Sequence, residues 1–302
     1  MKNRILAFLR WSYRKLILYF NIFLSLVRVL LYSKRIIRSP RLLNMKNNVY
    51  VLGNGHSLKQ LVNENVNFLS LQNLVVVNDF FFNENFSSLK PGVYLIADPA
   101  YWASDVADDM LVLRKKMQNT LLNIVNWDML FFVPTSVYVT GIFQKIYQAN
   151  PYITLQPYND ASFIGTKRLR YFFYDRLLAK PLSGNVIGSA LYIALQMDIK
   201  EIFLFGVEHS WTLSLFVDDQ NRTCIRNDHF YANDHEAKVW LKSNAQPYAI
   251  QEALFDIATM LSGYRDINDY AIYKNVKIYN CTPNSFIDAF ERKIQRPDEK
   301  LP

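Results

Sequence analysis

Six short apolar runs, five of them closed by a polar residue or a glycine, alternate with stretches of helical patterning and govern what this chain can fold into. The runs cover 49–52, 74–77, 93–97, 130–133, 202–205 and 276–279. Helical patterning lies near 105–123, 141–148, 168–178, 186–197, 249–261 and 285–292. Strands that alternate with helices imply βαβ units, and so an α/β fold with a mainly parallel sheet flanked by helices. The chain of 302 residues is long enough for one large α/β domain or two small ones, and its 51% hydrophobic content suits a well-buried core.

In such a sheet, ligands bind at the carboxyl ends of the strands. The first run, Val49-Tyr50-Val51-Leu52, breaks into Gly53-Asn54-Gly55-His56-Ser57-Leu58. Glycines let the backbone turn sharply and approach a ligand, and a helix start offers N–H groups to an anion. The second run ends in Asn78-Asp79, the third in Asp98-Pro99, and a later one in Gly206-Val207-Glu208-His209. The last ends in Asn280-Cys281-Thr282-Pro283-Asn284-Ser285. Singly, each is an ordinary turn or cap. Five polar ends on one rim of one sheet point to a site.

Charge divides the chain at about residue 45. Ten of the 34 Lys and Arg residues fall in 1–45, and none of the 26 Asp and Glu residues does. The remainder is close to neutral, which argues against a nucleic-acid binder. Within the head, Leu16 to Val27 is apolar, Arg28 interrupts, and Val29-Leu30-Leu31-Tyr32 resumes. These runs fall short of the ~20 apolar residues of a bilayer span. Basic flanks fit a helix at an anionic membrane surface; a helical hairpin packed on the body and a spanning anchor are the other arrangements. No small-residue cleavage site follows. We therefore expect residues 1–45 to be a membrane-associating helical segment, with Ser39-Pro40 as linker, and 46–302 to be the catalytic domain. Cys224 and Cys281 make neither a disulfide framework nor a zinc knuckle.

The strand ends, in this order, resemble the bacterial sialyltransferases of glycosyltransferase family 42 and related surface-polysaccharide proteins. Four motifs carry the resemblance: Gly53-Asn54-Gly55-His56-Ser57-Leu58; Asn78 before the aromatic run Phe80-Phe81-Phe82; Ser183-Gly184-Asn185 leading to Lys200-Glu201-Ile202 and Gly206; and Thr282-Pro283-Asn284-Ser285. The resemblance implies a Rossmann-like nucleotide-sugar-binding domain and metal-independent transfer, with inversion, of an acidic sugar from a CMP-activated donor. The sugar would be sialic acid, Kdo or a related nonulosonic acid. The acceptor would be a cell-surface polysaccharide or lipid-linked glycan at the cytoplasmic face of the inner membrane. No cofactor is expected beyond the CMP-sugar substrate, and no resident metal. Carried over by position, Asn54, Ser57 and Asn78 would bind the nucleotide and Asp98 falls where the family has an asparagine near the ribose; Gly53, Gly55 and Glu208 are expected in the same pocket. Ser183 and Gly184 would face the donor, with Lys180 where the family has an arginine. The family's catalytic histidine is matched by His229 in Asp228-His229-Phe230-Tyr231. The two tyrosines that support the family's leaving phosphate fall at Ser210 and Phe216, so His209, Trp211 or Tyr231 would have to serve.

The residues themselves agree with that chemistry. Transfer from a nucleoside-monophosphate sugar needs a base for the acceptor hydroxyl and donors for the departing phosphate. A histidine suits the base at neutral pH, and His229 is the expected one, with Tyr231 and His209 beside the reacting groups. Two other readings stay open. One is a hydroxymethylpterin diphosphokinase-like enzyme with Mg²⁺ on Asp79, Asp98 and Glu208. The other is a nucleotide-sugar binder without activity.

Overall fold

The computed structural model describes residues 2–37, 46–104, 106, 108–226, 237–242 and 246–294. Its strands are β1 Lys46–Leu52, β2 Asn73–Val77, β3 Val93–Leu95, β4 Met129–Pro134, β5 Ile153–Tyr158, β6 Asp198–Phe205, β7 Leu215–Val217, β8 Thr223–Arg226, β9 Ala237–Val239, β10 Lys277–Asn280 and β11 Glu291–Arg292. Its longer helices are α1 Lys2–Tyr32, α2 Leu58–Leu69, α3 Asp108–Asn123, α4 Lys167–Asp175, α5 Val186–Ala194 and α6 Ile250–Tyr273.

Eight strands form one sheet in the order β11-β10-β6-β1-β2-β3-β4-β5, and every pairing within it is parallel. The chain lays down β1 to β5 in one direction. It then crosses back through α5, places β6 against the other side of β1, and continues outward through β10 and β11. The strand order reverses between β1 and β6, which is where open α/β sheets hold their ligands. Three short strands, β7 to β9, pair antiparallel in a separate small sheet.

Successive residues along each strand enter opposite apolar layers. Val49, Val51, Val75, Val77, Leu130 and Phe132 pack against α5 and α6. Tyr50, Leu52, Leu74, Val76, Phe131 and Val133 pack with residues of α2 and α3. The central strands are thus covered on both faces, which is why they read as unbroken apolar runs. Helix α5 lies between the sheet and α6, and its residues from Ile187 to Ala194 are all buried.

All six expected strands are present. The others, β5, β7 to β9 and β11, go beyond the expectation. β5 carries Pro157, and the sheet tolerates it because β5 is an edge strand. Strands β7 to β9 and β11 span two to four residues each. The expected helix over 285–292 is absent. Its apolar spacing is helical, but Asn284 takes φ 53°, and the Ser285 hydroxyl donates to the Val207 carbonyl at 2.7 Å. The Arg292 guanidinium holds the carbonyls of Thr282 and Ser285, so the segment runs as a tied loop. Helix α6 continues to Tyr273, well past the expected end at 261.

The head is one continuous helix rather than a hairpin, and it runs through Arg28. By length and composition its Leu6–Tyr32 segment, which contains an 18-residue window of mean hydropathy 1.7, is long and apolar enough to cross a membrane. Only its carboxyl-terminal part touches the body. The Ser33 hydroxyl donates to the Leu178 carbonyl at 2.6 Å, and Asn159 receives the Lys34 N–H at 2.9 Å and donates to the Lys34 carbonyl at 2.7 Å. The expected linker Ser39-Pro40 lies outside the described residues.

Candidate functional site

At the carboxyl rim, β1 and β6 leave the sheet side by side. The Gly53 N–H donates to the Phe205 carbonyl and the Gly55 N–H to the Gly206 carbonyl, both at 2.8 Å. Glu208, 5% exposed, then reaches across to the start of α2. Its Oε1 accepts the Ser57 N–H at 3.0 Å, and His56 Nδ1 stands 3.8 Å from the same oxygen. A carboxylate here satisfies an end-of-helix donor and faces the positive end of the helix dipole. The sequence reads this turn as an opening for an anion; the protein's own Glu208 carboxylate takes the Ser57 N–H. Glycine at 55 follows from the same contact, since a Cβ there would fall 1.5 Å from Glu208 Oε2 and 2.7 Å from the Gly206 carbonyl oxygen.

On the other side of β1, the Asn54 side-chain amide donates to the Val77 carbonyl at 3.1 Å, and its Oδ1 is buried with no hydrogen-bond partner. Asn78, at φ 42°, accepts the Ala97 N–H on its Oδ1 at 3.1 Å, and its carbonyl accepts the Tyr94 hydroxyl. The two asparagines thus tie together the ends of β1, β2 and β3. Asp98 is exposed and caps a local turn by accepting the Ala100 N–H at 2.9 Å. The Asp79 carboxylate accepts the Tyr101 hydroxyl, and burial beside Tyr94 and Asp79 pushes that phenol well up. Asp79, Asp98 and Glu208 therefore take separate partners. Among the described residues no three His, Cys, Asp or Glu side chains converge as a metal site.

His209 follows Glu208 with φ 50°. Its Nε2 lies 2.6 Å from the Tyr264 hydroxyl, and its ring packs on Trp211 with centroids 4.4 Å apart. Tyr264 is fully buried, and desolvation pushes its phenol well up, so it is a neutral hydroxyl. It donates to Asn185 Oδ1 at 3.1 Å. The tyrosine oxygen thus stands between the imidazole and the Asn185 amide and fixes the orientation of the ring. Asn185 caps α5, accepting the Gly188 N–H at 2.9 Å, and its amide donates to the Ser183 carbonyl at 2.8 Å. Between them Gly184 stands exposed at φ 61°, with open space where a Cβ would be.

One connected line of contacts thus runs along the rim from Ala97 through Asn78, Asn54, Gly55 and Glu208 to His209, Tyr264, Asn185 and Gly184. It contains Gly53, Asn54, Gly55, Ser57, Asn78, Ser183, Gly184, Glu208 and His209 of the expected site. Lys180 lies toward the β5 edge, buried, with Nζ 3.2 Å from Asp160 Oδ1. Asp98 faces solvent beyond β3. His229 and Tyr231 lie outside the described residues. Sequence reasoning missed Tyr264, and it quoted Asn185 without a role. Tyr264 sits mid-helix, 55 residues from His209, with no local signal. The Thr282-Pro283-Asn284-Ser285 motif proves to be a brace. Thr282 Oγ1 accepts the Val207 N–H at 3.1 Å, and the Phe286 N–H donates to the Glu208 carbonyl at 2.7 Å. Together they fix the backbone that presents Glu208 and His209.

A cavity of about 370 Å³ lies behind the Ser183-Gly184 loop, lined by Ile164, Arg170, Leu182, Thr259, Ser262 and Asp266 among others. Arg170 Nη1 stands 2.6 Å from Asp266 Oδ1, and the Tyr174 hydroxyl donates to Asp266 Oδ2 at 2.8 Å. Burial outweighs the arginine and holds the Asp266 carboxyl above its usual range.

No protein-family model matches the chain, and no curated protein matches it. Among solved structures it is similar to the MAf glycosyltransferase from Magnetospirillum magneticum AMB-1, at 11% identity and a TM-score of 0.46. That likeness covers 91% of this chain and 38% of the other, so the chain spans little more than a third of that protein's length. A likeness of this degree assigns no activity.

Proposed function

We propose that the protein is a membrane-associated, inverting, metal-independent glycosyltransferase. It would move an acidic sugar from a CMP-activated donor to a polysaccharide or lipid-linked acceptor at the cytoplasmic face of the inner membrane. The observation that carries this reading is the connected rim at the sheet reversal, where the motif residues of the stated resemblance meet. It offers a buried acceptor, Asn54 Oδ1, to a nucleotide donor group, and an imidazole oriented by a neutral tyrosine at 2.6 Å.

In this chemistry the acceptor oxygen forms a bond to the anomeric carbon of the sugar while the bond from that carbon to the phosphate oxygen breaks. The electron pair leaves with CMP, and the hydroxyl proton passes to an imidazole. His209 is one imidazole that could take that proton, and His229 is the second. Gly184, exposed just ahead of α5, would face the departing phosphate, where helix N–H groups favour negative charge, while Ser183 is fully buried.

Thermal unfolding with CMP, CMP-sialic acid and CMP-Kdo, in the presence of a chelator, tests the reading. Ligand at a hundredfold above Kd stabilises by about 2.7 kcal/mol, a shift of a few degrees. Stabilisation with chelator present, together with slow release of CMP from one donor, is expected. A protein stabilised only by ATP with Mg²⁺ would contradict the proposal.

A further inference from the structure

We propose that α1 is an in-plane membrane anchor. The helix lies along an anionic bilayer surface with one face among the acyl chains and the body seated on the opposite face, and it does not cross the bilayer. This inference stands on the helix alone and is independent of the transfer chemistry.

Two stripes of α1 carry the argument. Ile22, Ser25, Val29 and Ser33 succeed one another at steps of three or four, so they share one side of the helix. They are the residues that meet the body. Ile22 and Val29 pack into the layer between sheet and α5. Ser25 Oγ accepts the Ile164 N–H at 2.9 Å, and Ser33 Oγ donates to the Leu178 carbonyl at 2.6 Å. Followed toward the amino terminus, the same side carries Leu18, Lys15, Trp11 and Arg4 with Arg14 beside them, and exposed Arg10 and Arg28 stand on the flank between that side and the opposite one. The opposite stripe is Leu9, Tyr13, Leu16, Phe20, Phe23 and Leu30, each more than half exposed. Body and cations therefore keep to one side of the helix and its flank, and a continuous apolar face from Leu9 to Leu30, interrupted by no cation, occupies the other.

A crossing helix needs the reverse. It needs about 20 apolar residues ringed on all sides by lipid. The Leu6–Tyr32 segment has the length, but the body holds it from Ile22 onward, and Arg10, Arg14 and Lys15 interrupt the part before Leu16. Only 16–21 is both uncharged and clear of the body. An interfacial helix needs the two faces that α1 has. Its cations would lie at the level of anionic head groups, their stems along the helix. Trp11, with Lys15 Nζ 5.7 Å from its ring centroid, is placed as interfacial aromatics are. Anionic lipid is the occupant because residues 1–45 carry no acidic side chain.

The test uses the full chain with phosphatidylcholine vesicles prepared with and without phosphatidylglycerol. Co-sedimentation with the phosphatidylglycerol vesicles is expected. The variant Arg10→Glu/Arg14→Glu/Lys15→Glu should weaken that partitioning on the order of a hundredfold. Phe20→Glu/Phe23→Glu, at exposed positions, should release the protein from vesicles with its thermal unfolding unchanged. A tag fused ahead of Met1 should be cut by external protease as fast as one placed after Pro302. Protection of the leading tag would mean a crossing helix and overturn the proposal. Equal binding to neutral and anionic vesicles would also overturn it, as would a vesicle-free dimer that Phe20→Glu/Phe23→Glu dissociates.

Discussion

His209 is held in the left-handed region, at φ 50°, where a residue with a Cβ is strained unless its surroundings fix it. Here they do: Tyr264 holds the ring by a hydrogen bond, Trp211 packs on it, and the Thr282 and Ser285 hydroxyls hold the preceding Val207. Under the transferase reading, this held ring at the sheet reversal is a candidate base. His209→Ala is expected to lower kcat by ~10²–10⁴-fold and leave CMP affinity within about twofold. Tyr264→Phe removes the oxygen that orients the ring and should lower kcat with KM for donor unchanged. The parallel His229→Ala measurement decides which imidazole takes the proton; a full rate in His209→Ala assigns it to His229. Cys281, at the end of β10, behaves differently. Burial pushes its thiol up to about 12, whereas an unfolded thiol ionises near ~8.5. The raised folded value means that its stabilising contribution is complete below the unfolded value and is lost as pH climbs toward about 12. Between about pH 8.5 and 10.5 the wild type should lose stability faster than Cys281→Ala by about 1.4 kcal/mol per pH unit, read from urea midpoints.

At the scale of elements, the junction of β1, β6 and α2 is closed by one side chain, Glu208. Gly55→Ala would push a methyl group into that carboxylate and toward the Gly206 carbonyl oxygen. The carboxylate can swing away, but the backbone oxygen cannot, so a loss of about 1–3 kcal/mol is expected by chemical denaturation, along with loss of CMP binding. Glu208→Gln keeps the shape and removes the charge, and should cost only about 1 kcal/mol. This junction was legible in the sequence because parallel topology dictates that strand ends share a rim, and Gly-x-Gly and Gly-Val-Glu-His stand at two of those ends. The central strands were legible because both faces are buried. Legibility failed where local pattern and tertiary context disagree. Phe286, Ile287, Ala289 and Phe290 have helical spacing, yet the Ser285 and Arg292 bonds to the backbone hold them out of a helix. Pro157 disguised β5, whose edge position removes the penalty. Tyr264 could not be found at all, because a tyrosine in the middle of an amphipathic helix reads as core until the fold brings His209 to it.

The whole molecule places the docked end of α1 near the carboxyl rim of the sheet. Helix α1 docks at Asn159, just past the carboxyl end of β5, and at Ile164 and Leu178. Ile164 also lines the cavity of about 370 Å³, as does Leu182, one residue before Ser183. A path from the anchor to the Ser183-Gly184 loop therefore runs through a space of the size that small ligands occupy. Under the transferase reading, this is where an acceptor from the membrane surface would approach the donor. Removing 1–21 should leave the body folded, because the docking contacts begin at Ile22; removing 1–37 strips Val29 and the Ser33 and Lys34 bonds and should lower stability by about 3–5 kcal/mol. The cut at 21 should raise KM for a vesicle-borne acceptor on the order of tenfold or more, the share of avidity that tethering supplies, and leave kcat on a soluble acceptor unchanged. Ser262→Phe, which fills the cavity from α6, should raise KM for both acceptors and leave CMP binding alone. The two variants separate delivery from recognition. If Ser262→Phe changed neither KM, the acceptor would have to arrive from the open side of Gly184, and the anchor would serve only to hold the enzyme near its substrate.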